Sequence, residues 1–371
     1  MKITDFPAYL RDRVLGMLPH RAPTGLIRIG KPDRHSPVLV TGNFTLTVRR
    51  LRDALRGHDA WLLVANSKGI DVWCAAGGGH LTHHDIISAI RTSELAHEVD
   101  HREIILPQLC ATGVERPPIT EATGFATRWG PARLEDLPAY LDRGAQTIKS
   151  DRSMRFPAWE RLEMAVLLVV PMLIVLLPIL AGLFGWATMA VGGATVGLFV
   201  AALFGLLPWL QVRGRRRFLT FAGFAAGAGL FGCALLSIVD AATPARLTAV
   251  SVAAVAAIAV ASIDLAGFTP WYGSYINTFH NEAHIELMAA RCTAAAECVQ
   301  VCPRDVLEMN ETQDKVEIRK PDWCIQCGAC IVQCPTDALR FRYGDGRVVE
   351  APTIRRTRMN MLGRRSVEMP D

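Results

Sequence analysis

The sequence contains little charge and few aromatic residues. Charged residues make up 20% of the 371 positions and aromatic residues 7%, and the formal net charge is +5. The arginines cluster beside apolar segments rather than along one soluble face, so no nucleic-acid partner is expected. The opening residues, MKITDFPAYLRDRVLG, lack the uninterrupted apolar core of a secretory signal. We therefore expect the N-terminal region in the cytoplasm, where free or metal-bound thiolates are favoured over disulfides.

What the sequence has in abundance is apolar residues, at 50% of the chain. This composition and length predict two or three domains, one of them in a membrane. Residues 159–268 are predicted to form a four-helix transmembrane region, because each apolar stretch approaches the ~20 residues that cross a bilayer. No charged residue lies deep in a span, which favours a simple anchor. The predicted spans are residues 164–183, 186–210, 218–239 and 247–263.

The distribution of arginine predicts how these spans are oriented. The loop QVRGRRRF carries four arginines, whereas DAATPAR carries one and the AGLFG hairpin none. By the positive-inside rule, this loop, both termini and the soluble domains face the cytoplasm. The sequence thus predicts a multi-pass protein of the cytoplasmic membrane, with the lipid bilayer as a partner.

Residues 1–158 alternate short β-rich runs with helical patterns, which predicts a parallel α/β sheet with helices on both faces. Ligands of such sheets lie beyond the carboxyl ends of the strands. That edge holds TGN, CAAGG, PQLCATG and WGP, so Thr41, Asn43, Gln108 and Gly130 are candidate ligand contacts. The predicted strands are SPVLVTGN, AWLLVAN, GIDVWC, REIILP and GFATRWGP; the predicted helices are LTVRRLRDALRG, THHDIISAIRTSEL and LEDLPAYLDRG.

The segment CIQCGACIVQCP is the strongest motif of the sequence. Its C-x2-C-x2-C-x3-C-P spacing lets three thiolates hold one iron–sulfur cluster while the fourth reaches a second cluster. A zinc site would more often use two separated C-x2-C pairs. The four cysteines are Cys324, Cys327, Cys330 and Cys334.

An upstream segment, CTAAAECVQVCP, repeats this register with alanine at position 295 in place of a cysteine. With crossed ligation, Cys302, Cys324, Cys327 and Cys330 would hold a 4Fe-4S cluster. Three thiolates remain for the other site, which suits a 3Fe-4S cluster or a labile 4Fe-4S cluster with one exchangeable iron; loss of this cluster is the alternative. Those three are Cys292, Cys298 and Cys334.

Residues 285–345 resemble a two-cluster bacterial-type ferredoxin domain with an α+β fold. We predict a linker at 269–284 before it and a basic tail at 346–371 after it. The arginines of this tail are expected to touch anionic lipid or to remain disordered.

The remaining question is Cys74, in the segment DVWCAAGGGH. Taken alone, a cysteine at the end of a predicted strand is most often a small buried residue. Just before a turn into a helix, however, its sulfur would meet helix-terminal N–H groups, which favour the thiolate and hence metal binding.

Residues 15–165 resemble the corrinoid protein of microbial mercury methylation, which belongs with the corrinoid iron–sulfur methyl carriers of the acetyl-CoA pathway. The resemblance rests on SPVLVTGNFTLTVRRLRDALRGHDAWLLVANSKGIDVWCAAGGG, HREIILPQLCATGVE, GFATRWGPARLEDLPAYL and MRFPAWERLEM. It implies a Rossmann-like corrinoid domain followed by membrane helices. Because the partner of that family is a two-cluster ferredoxin, this chain looks like the pair fused into one polypeptide.

The cap-helix motif of that family reads Asn-Val/Ile-Trp-Cys-Ala-Ala/Gly-Gly-Lys. Residues 72–77 match it, whereas Asp71 replaces the asparagine and Gly78 the lysine. The resemblance implies that Cys74 is the catalytic residue and a lower axial ligand of cobalt. It also implies that Ala75, Ala76 and Gly77 let the backbone approach the corrinoid ring, and that Trp73 packs either on the ring or in the protein core. Histidine ligation is the competing arrangement, but the D-x-H-x-x-G pattern of histidine-on corrinoid domains is absent.

Together these features predict a membrane-anchored corrinoid and iron–sulfur methyltransferase that transfers a methyl group from cobalt to an acceptor, while the ferredoxin domain reduces cobalt. Its predicted partners are a cytoplasmic methyl donor protein or methyl-folate system and a low-potential electron donor. Mercury(II) is a possible acceptor, but the tail has no cysteine pair of the kind found in mercury-methylating ferredoxins, which favours another acceptor. The alternative is a membrane-bound ferredoxin-type electron-transfer protein with a non-corrinoid α/β domain, although no G-x-G-x-x-G for a dinucleotide follows a strand.

Overall fold

A computed structural model describes residues 19–210, 217–267, 283–310, 312 and 314–359. The chain forms two compact units. One contains four long helices, and the other combines residues 19–155 with the described residues from 283 onwards. The α/β and ferredoxin regions, which the sequence suggests as separate domains, therefore pack together in a single unit.

A five-stranded sheet forms the centre of the N-terminal region. Its strands lie in the order β1-β3-β2-β4-β5. Strands β2 to β5 run parallel, and β1 pairs with β3 in the antiparallel sense at one edge. The carboxyl ends of the four parallel strands thus share one edge of the sheet. The strands are β1 (Gly25–Ile29), β2 (Val38–Gly42), β3 (Ala60–Ala65), β4 (Glu103–Leu106) and β5 (Ala126–Trp129).

Helices cover both faces of this sheet, as the alternating pattern predicts. On one face, Leu62 packs in a cluster with Leu51 and Tyr140; on the other, Leu63 packs with Ile86. The helices are α1 (Thr45–Ala54), α2 (Val72–Gly77), α3 (His83–Thr92), α4 (Leu95–Glu98), α5 (Arg116–Thr123) and α6 (Leu137–Asp142), with 3-10 turns at Gln108–Thr112, Leu134–Asp136 and Lys149–Arg152.

The predicted strand GIDVWC is wrong, because these residues begin helix α2. The β-branched residues Ile70 and Val72 favour a strand. Asp71 overrides them as the N-cap: its Oδ1 accepts the backbone N–H groups of Trp73 at 3.0 Å and Cys74 at 3.3 Å. Such a cap satisfies helix donors that otherwise have no partner. Cys74 consequently lies in the first turn of a helix.

The four predicted apolar helices are confirmed. They form the other unit, and each is long and apolar enough to cross a membrane. The first begins before the predicted residue 164, and the second ends before the predicted residue 210. The helices are α7 (Ala158–Phe184), α8 (Trp186–Leu206), α9 (Arg217–Ile238) and α10 (Pro244–Gly267).

The C-terminal region contains a three-stranded antiparallel sheet in the order β10-β9-β6 and a hairpin of β7 and β8. Its fold continues past 346, where the tail was predicted: Val349, Ala351 and Ile354 are buried. Predicted linker residues 269–282 and tail residues 360–371 lie outside the described residues. The elements are β6 (Ala283–Leu287), α11 (Glu297–Gln300), β7 (Leu307–Asn310), β8 (Lys315–Ile318), α12 (Ala329–Val332), β9 (Leu339–Tyr343), β10 (Val348–Val349) and α13 (Ala351–Arg356).

Candidate functional site

One cavity in the C-terminal region is lined by four cysteines. The loop before α12 wraps around it with Gln326 and Gly328 in the left-handed backbone region, at φ 56° and 74°. The sulfur of Cys302 accepts the N–H of Val306 at 3.3 Å, and such bonds help to set the potential of a bound cluster. The four cysteines are Cys302, Cys324, Cys327 and Cys330.

A second cavity is lined by Cys292, Cys298 and Cys334. Ala295 lies in its wall, where the other cavity has a fourth cysteine. The only carboxylate among its lining residues belongs to Glu297, whose Oε2 is bound to Arg116 Nη1 at 2.6 Å. The structure thus brings together the same two sets of cysteines that crossed ligation predicts, with three thiols in the second set.

Both cavities suit a cluster of several irons. Within the described part of the chain, no three His, Cys, Asp or Glu side chains converge on a position for a single metal ion. The cysteines instead surround two larger spaces. Burial raises the pKa of the Cys298 and Cys324 thiols to about 12, so both are protonated without a metal, and binding iron must release their protons.

Cys74 is the half-buried member of helix α2. Its neighbours Trp73, Ala75 and Ala76 are at most 4% exposed and belong to the hydrophobic core. The protein core surrounds all three in this structure, and their contact with a corrinoid ring stays a prediction. Gly77 lies against the side chain of Met359, so Cys74 remains the candidate metal ligand of this helix.

The predicted stabilisation of the Cys74 thiolate by helix N–H groups stays a prediction, although one of those groups has another partner. Asp71 accepts the backbone N–H of Cys74 itself, so that donor does not point to the sulfur. Asparagine is as good an N-cap as aspartate. The replacement of the motif's asparagine by Asp71 therefore preserves the start of the helix.

Two other candidate ligand contacts at the carboxyl edge of the sheet, Asn43 and Gln108, form hydrogen bonds to the backbone of neighbouring segments. Asn43 Oδ1 accepts the N–H groups of Ser67 and Gly69, both at 2.9 Å, and so fixes the loop between β3 and α2. Gln108 Nε2 donates to Arg152 O at 2.7 Å, while its buried Oε1 has no hydrogen-bond partner among the described residues.

Thr41 is buried in β2, and Gly130 N donates to Leu106 O at 2.8 Å. These observations do not test whether Thr41 and Gly130 contact a ligand, so both contacts stay predictions. Two other cysteines, Cys110 and Cys233, lie outside both cavities. Burial raises the pKa of the Cys110 thiol well above its usual value, and Cys233 lies half-buried in helix α9.

Contacts between the ferredoxin region and the sheet edge were not predicted from the sequence. Gln333 Nε2, next to Cys334, donates to Ala111 O at 2.9 Å and to Val114 O at 2.7 Å. Glu297, next to Cys298, also accepts the Trp129 Nε1–H at 3.2 Å. These residues adjoin motif cysteines, but no local pattern reveals partners so distant in the sequence.

The α/β region and the ferredoxin region each match a known family. Residues 16–141 match the family described as CO dehydrogenase/acetyl-CoA synthase delta subunit. Residues 291–338 match the 4Fe-4S dicluster domain. The chain carries a domain of each family. The predicted relationship to the acetyl-CoA pathway is thereby confirmed for the N-terminal domain, and the ferredoxin domain is confirmed by the second match.

Curated relatives match about a third of the chain. The acetyl-CoA decarbonylase/synthase complex subunit gamma of Methanopyrus kandleri is 34% identical over 127 residues, which are 34% of this chain and 27% of the relative. Subunit gamma 2 of Methanosarcina mazei is 33% identical over 122 residues, 32% of this chain and 26% of the relative. The chain thus spans about a quarter of the length of these relatives.

Proposed function

We propose that this chain is a membrane-anchored corrinoid and iron–sulfur protein that receives a methyl group and passes it to an acceptor. The ferredoxin region would supply the electrons that keep the corrinoid active. The relatives act in acetyl-CoA decarbonylase/synthase complexes by name, and the family match covers the whole sheet with Cys74.

The observation that carries this proposal is that the loop before α12, which lines the cavity of four cysteines, packs near the Cys74 helix. Ile325, Cys327 and Ala329 belong to the same hydrophobic cluster as Ala75 and Ala76 of α2. The 3-10 turn Gln108–Thr112 lies between them, since α12 and α2 both pack against it. A cluster site and a candidate cobalt ligand are thus connected through dry, close-packed protein.

Cys74 would hold the corrinoid, and the two cysteine sets would hold iron–sulfur clusters. When bound, the corrinoid supplies a metal that carries methyl groups, and the clusters supply single electrons. The chain contributes a half-buried sulfur, a core that excludes water behind it, and Asp71, which fixes the helix that bears the sulfur.

The four apolar helices would anchor this unit to the cytoplasmic membrane, with both termini and the cysteine sites on the cytoplasmic side. There a cytoplasmic methyl donor protein or methyl-folate system and a low-potential electron donor could reach it. Because the tail has no cysteine, mercury(II) is the less favoured acceptor. A three-iron or labile four-iron cluster is proposed for the three-cysteine cavity.

The test is to purify the full chain anaerobically in detergent, add cobalamin, remove the excess by gel filtration, and record the visible spectrum and the cobalt content. Retained corrinoid bands above the broad iron–sulfur absorption would support the proposal. Iron and sulfide without retained cobalt would contradict it and favour a membrane-bound electron-transfer protein.

A further inference from the structure

The C-terminal segment 355–359 lies directly against helix α2. Met359 N donates to Gly77 O at 2.7 Å. The Met359 side chain is 8% exposed and packs in the same cluster as Trp73 and Ala76. A Cβ atom added at Gly77 would overlap the Met359 methyl group, so a side chain at position 77 would force the end of the Met359 side chain to move.

The other end of this segment is fixed to the ferredoxin region. Arg355 Nη2 donates to Cys334 O at 3.0 Å and to Asp337 Oδ1 at 2.5 Å. Its Nε also lies 3.7 Å from Glu115 Oε2 of the α/β domain. Ile354 is fully buried beside this arginine in the chain. The segment therefore begins at the three-cysteine cavity and ends at the helix of Cys74.

Helix α2 depends on such outside contacts because it has only six residues. Helices this short are not stable alone, so tertiary contacts determine where they lie. Their last carbonyl groups also lack partners within the helix. Asp71 caps the first turn, and Met359 N satisfies Gly77 O at the last residue.

We infer that residues 355–359 form a strap by which the ferredoxin region holds the Cys74 helix in place, with Met359 as the positioning residue. The contact between Gly77 and Met359 holds helix α2, and Arg355 attaches the strap to the ferredoxin region. That the position of the Cys74 helix matters for chemistry rests on the proposed function. The existence of the strap does not depend on that function.

The test uses the full chain without corrinoid. Hydrogen exchange of residues 72–78 and the alkylation rate of Cys74, mapped by mass spectrometry, report the position of the helix. Met359→Ala and Gly77→Ala should each raise both rates by about tenfold, which corresponds to ~1.4 kcal/mol. The double variant should return to within about threefold of the unchanged chain, because the new methyl group at 77 would fill the space that Met359 leaves.

Two further variants complete the experiment. Arg355→Gln should raise the same rates, because it releases the strap from the ferredoxin region. Gly344→Ala is the matched control, since its Cβ would meet open space, and it should change neither rate. Unchanged rates in Met359→Ala and Gly77→Ala, or effects that simply add in the double variant, would overturn the inference.

The outcome is separable from that of the proposed function. Coupling between positions 77 and 359 in a chain that retains no corrinoid would keep the strap and reject the function. A chain that retains corrinoid but shows no such coupling would keep the function and reject the strap.

Discussion

Replacing Gln333 by leucine should loosen the 3-10 turn Gln108–Thr112. This turn lies between the loop before α12 and the Cys74 helix. The Gln333 side chain donates to two main-chain oxygens, Ala111 O at 2.9 Å and Val114 O at 2.7 Å, and the residue is 8% exposed. Leucine keeps about the same volume but leaves both carbonyl groups without these donors. At about 1 kcal/mol for each lost bond, the expected cost is about 2 kcal/mol.

Hydrogen exchange of the full chain in detergent measures this cost locally. The amides of Gly113 and Val114 both donate to Cys110 O, at 3.0 and 2.9 Å, so they report opening of the turn. A loss of about 2 kcal/mol should speed their exchange by about 30-fold. Gln300→Leu is the control: Gln300 lines a groove at the same domain contact but forms no side-chain hydrogen bond among the described residues. Less than about threefold faster exchange in Gln333→Leu, or an equal effect in Gln300→Leu, would refute the reasoning.

Three other predictions concern the helix start, the clusters and the membrane topology. Asp71→Ala should destabilise helix α2 by ~1 kcal/mol, seen as faster amide exchange in residues 72–77, whereas Asp71→Asn should keep the wild-type rate because both residues cap helices; equal rates in the two variants would count against the cap. Ala295→Cys should turn the three-iron paramagnetic resonance signal of the air-oxidised protein into a second four-iron signal on reduction; two stable four-iron clusters in the unchanged chain would contradict a three-thiolate site. Reporter fusions at Ser150 and Asp345 should be cytoplasmic and a fusion at Thr243 extracytoplasmic; an extracytoplasmic signal at Asp345 would contradict the four-span topology.

Short, regular patterns predicted much of this protein. The cysteine spacing placed seven cysteines in two sets, and the structure gathers the same sets around two cavities. Apolar runs predicted the four long helices, and alternating patterns predicted the parallel strands. Each of these signals is local, because ligand spacing, span length and strand period are all set within a few residues.

The errors have physical causes that local patterns do not contain. Helix α2 was predicted as a strand because Ile70 and Val72 are β-branched, whereas the side-chain cap of Asp71 decides the structure. Strand β1 was missed, since its pairing with β3 depends on a partner far along the chain. The contacts of Gln333 and Met359 are tertiary in the same way, and they determine how the candidate site is assembled.

The central claim is that Cys74 binds the cobalt of a corrinoid, and the visible spectrum of corrinoid-loaded Cys74→Ala tests it most directly. The substitution removes only a half-buried sulfur, so the fold and the iron–sulfur absorption should persist at a cost of about 1–2 kcal/mol. Cys110→Ala is the control, because that thiol lies fully buried in the core. The account predicts that Cys74→Ala loses the sulfur-to-cobalt charge-transfer bands, which Cys110→Ala retains. An unchanged corrinoid spectrum in Cys74→Ala would contradict cobalt ligation and make the cysteine structural.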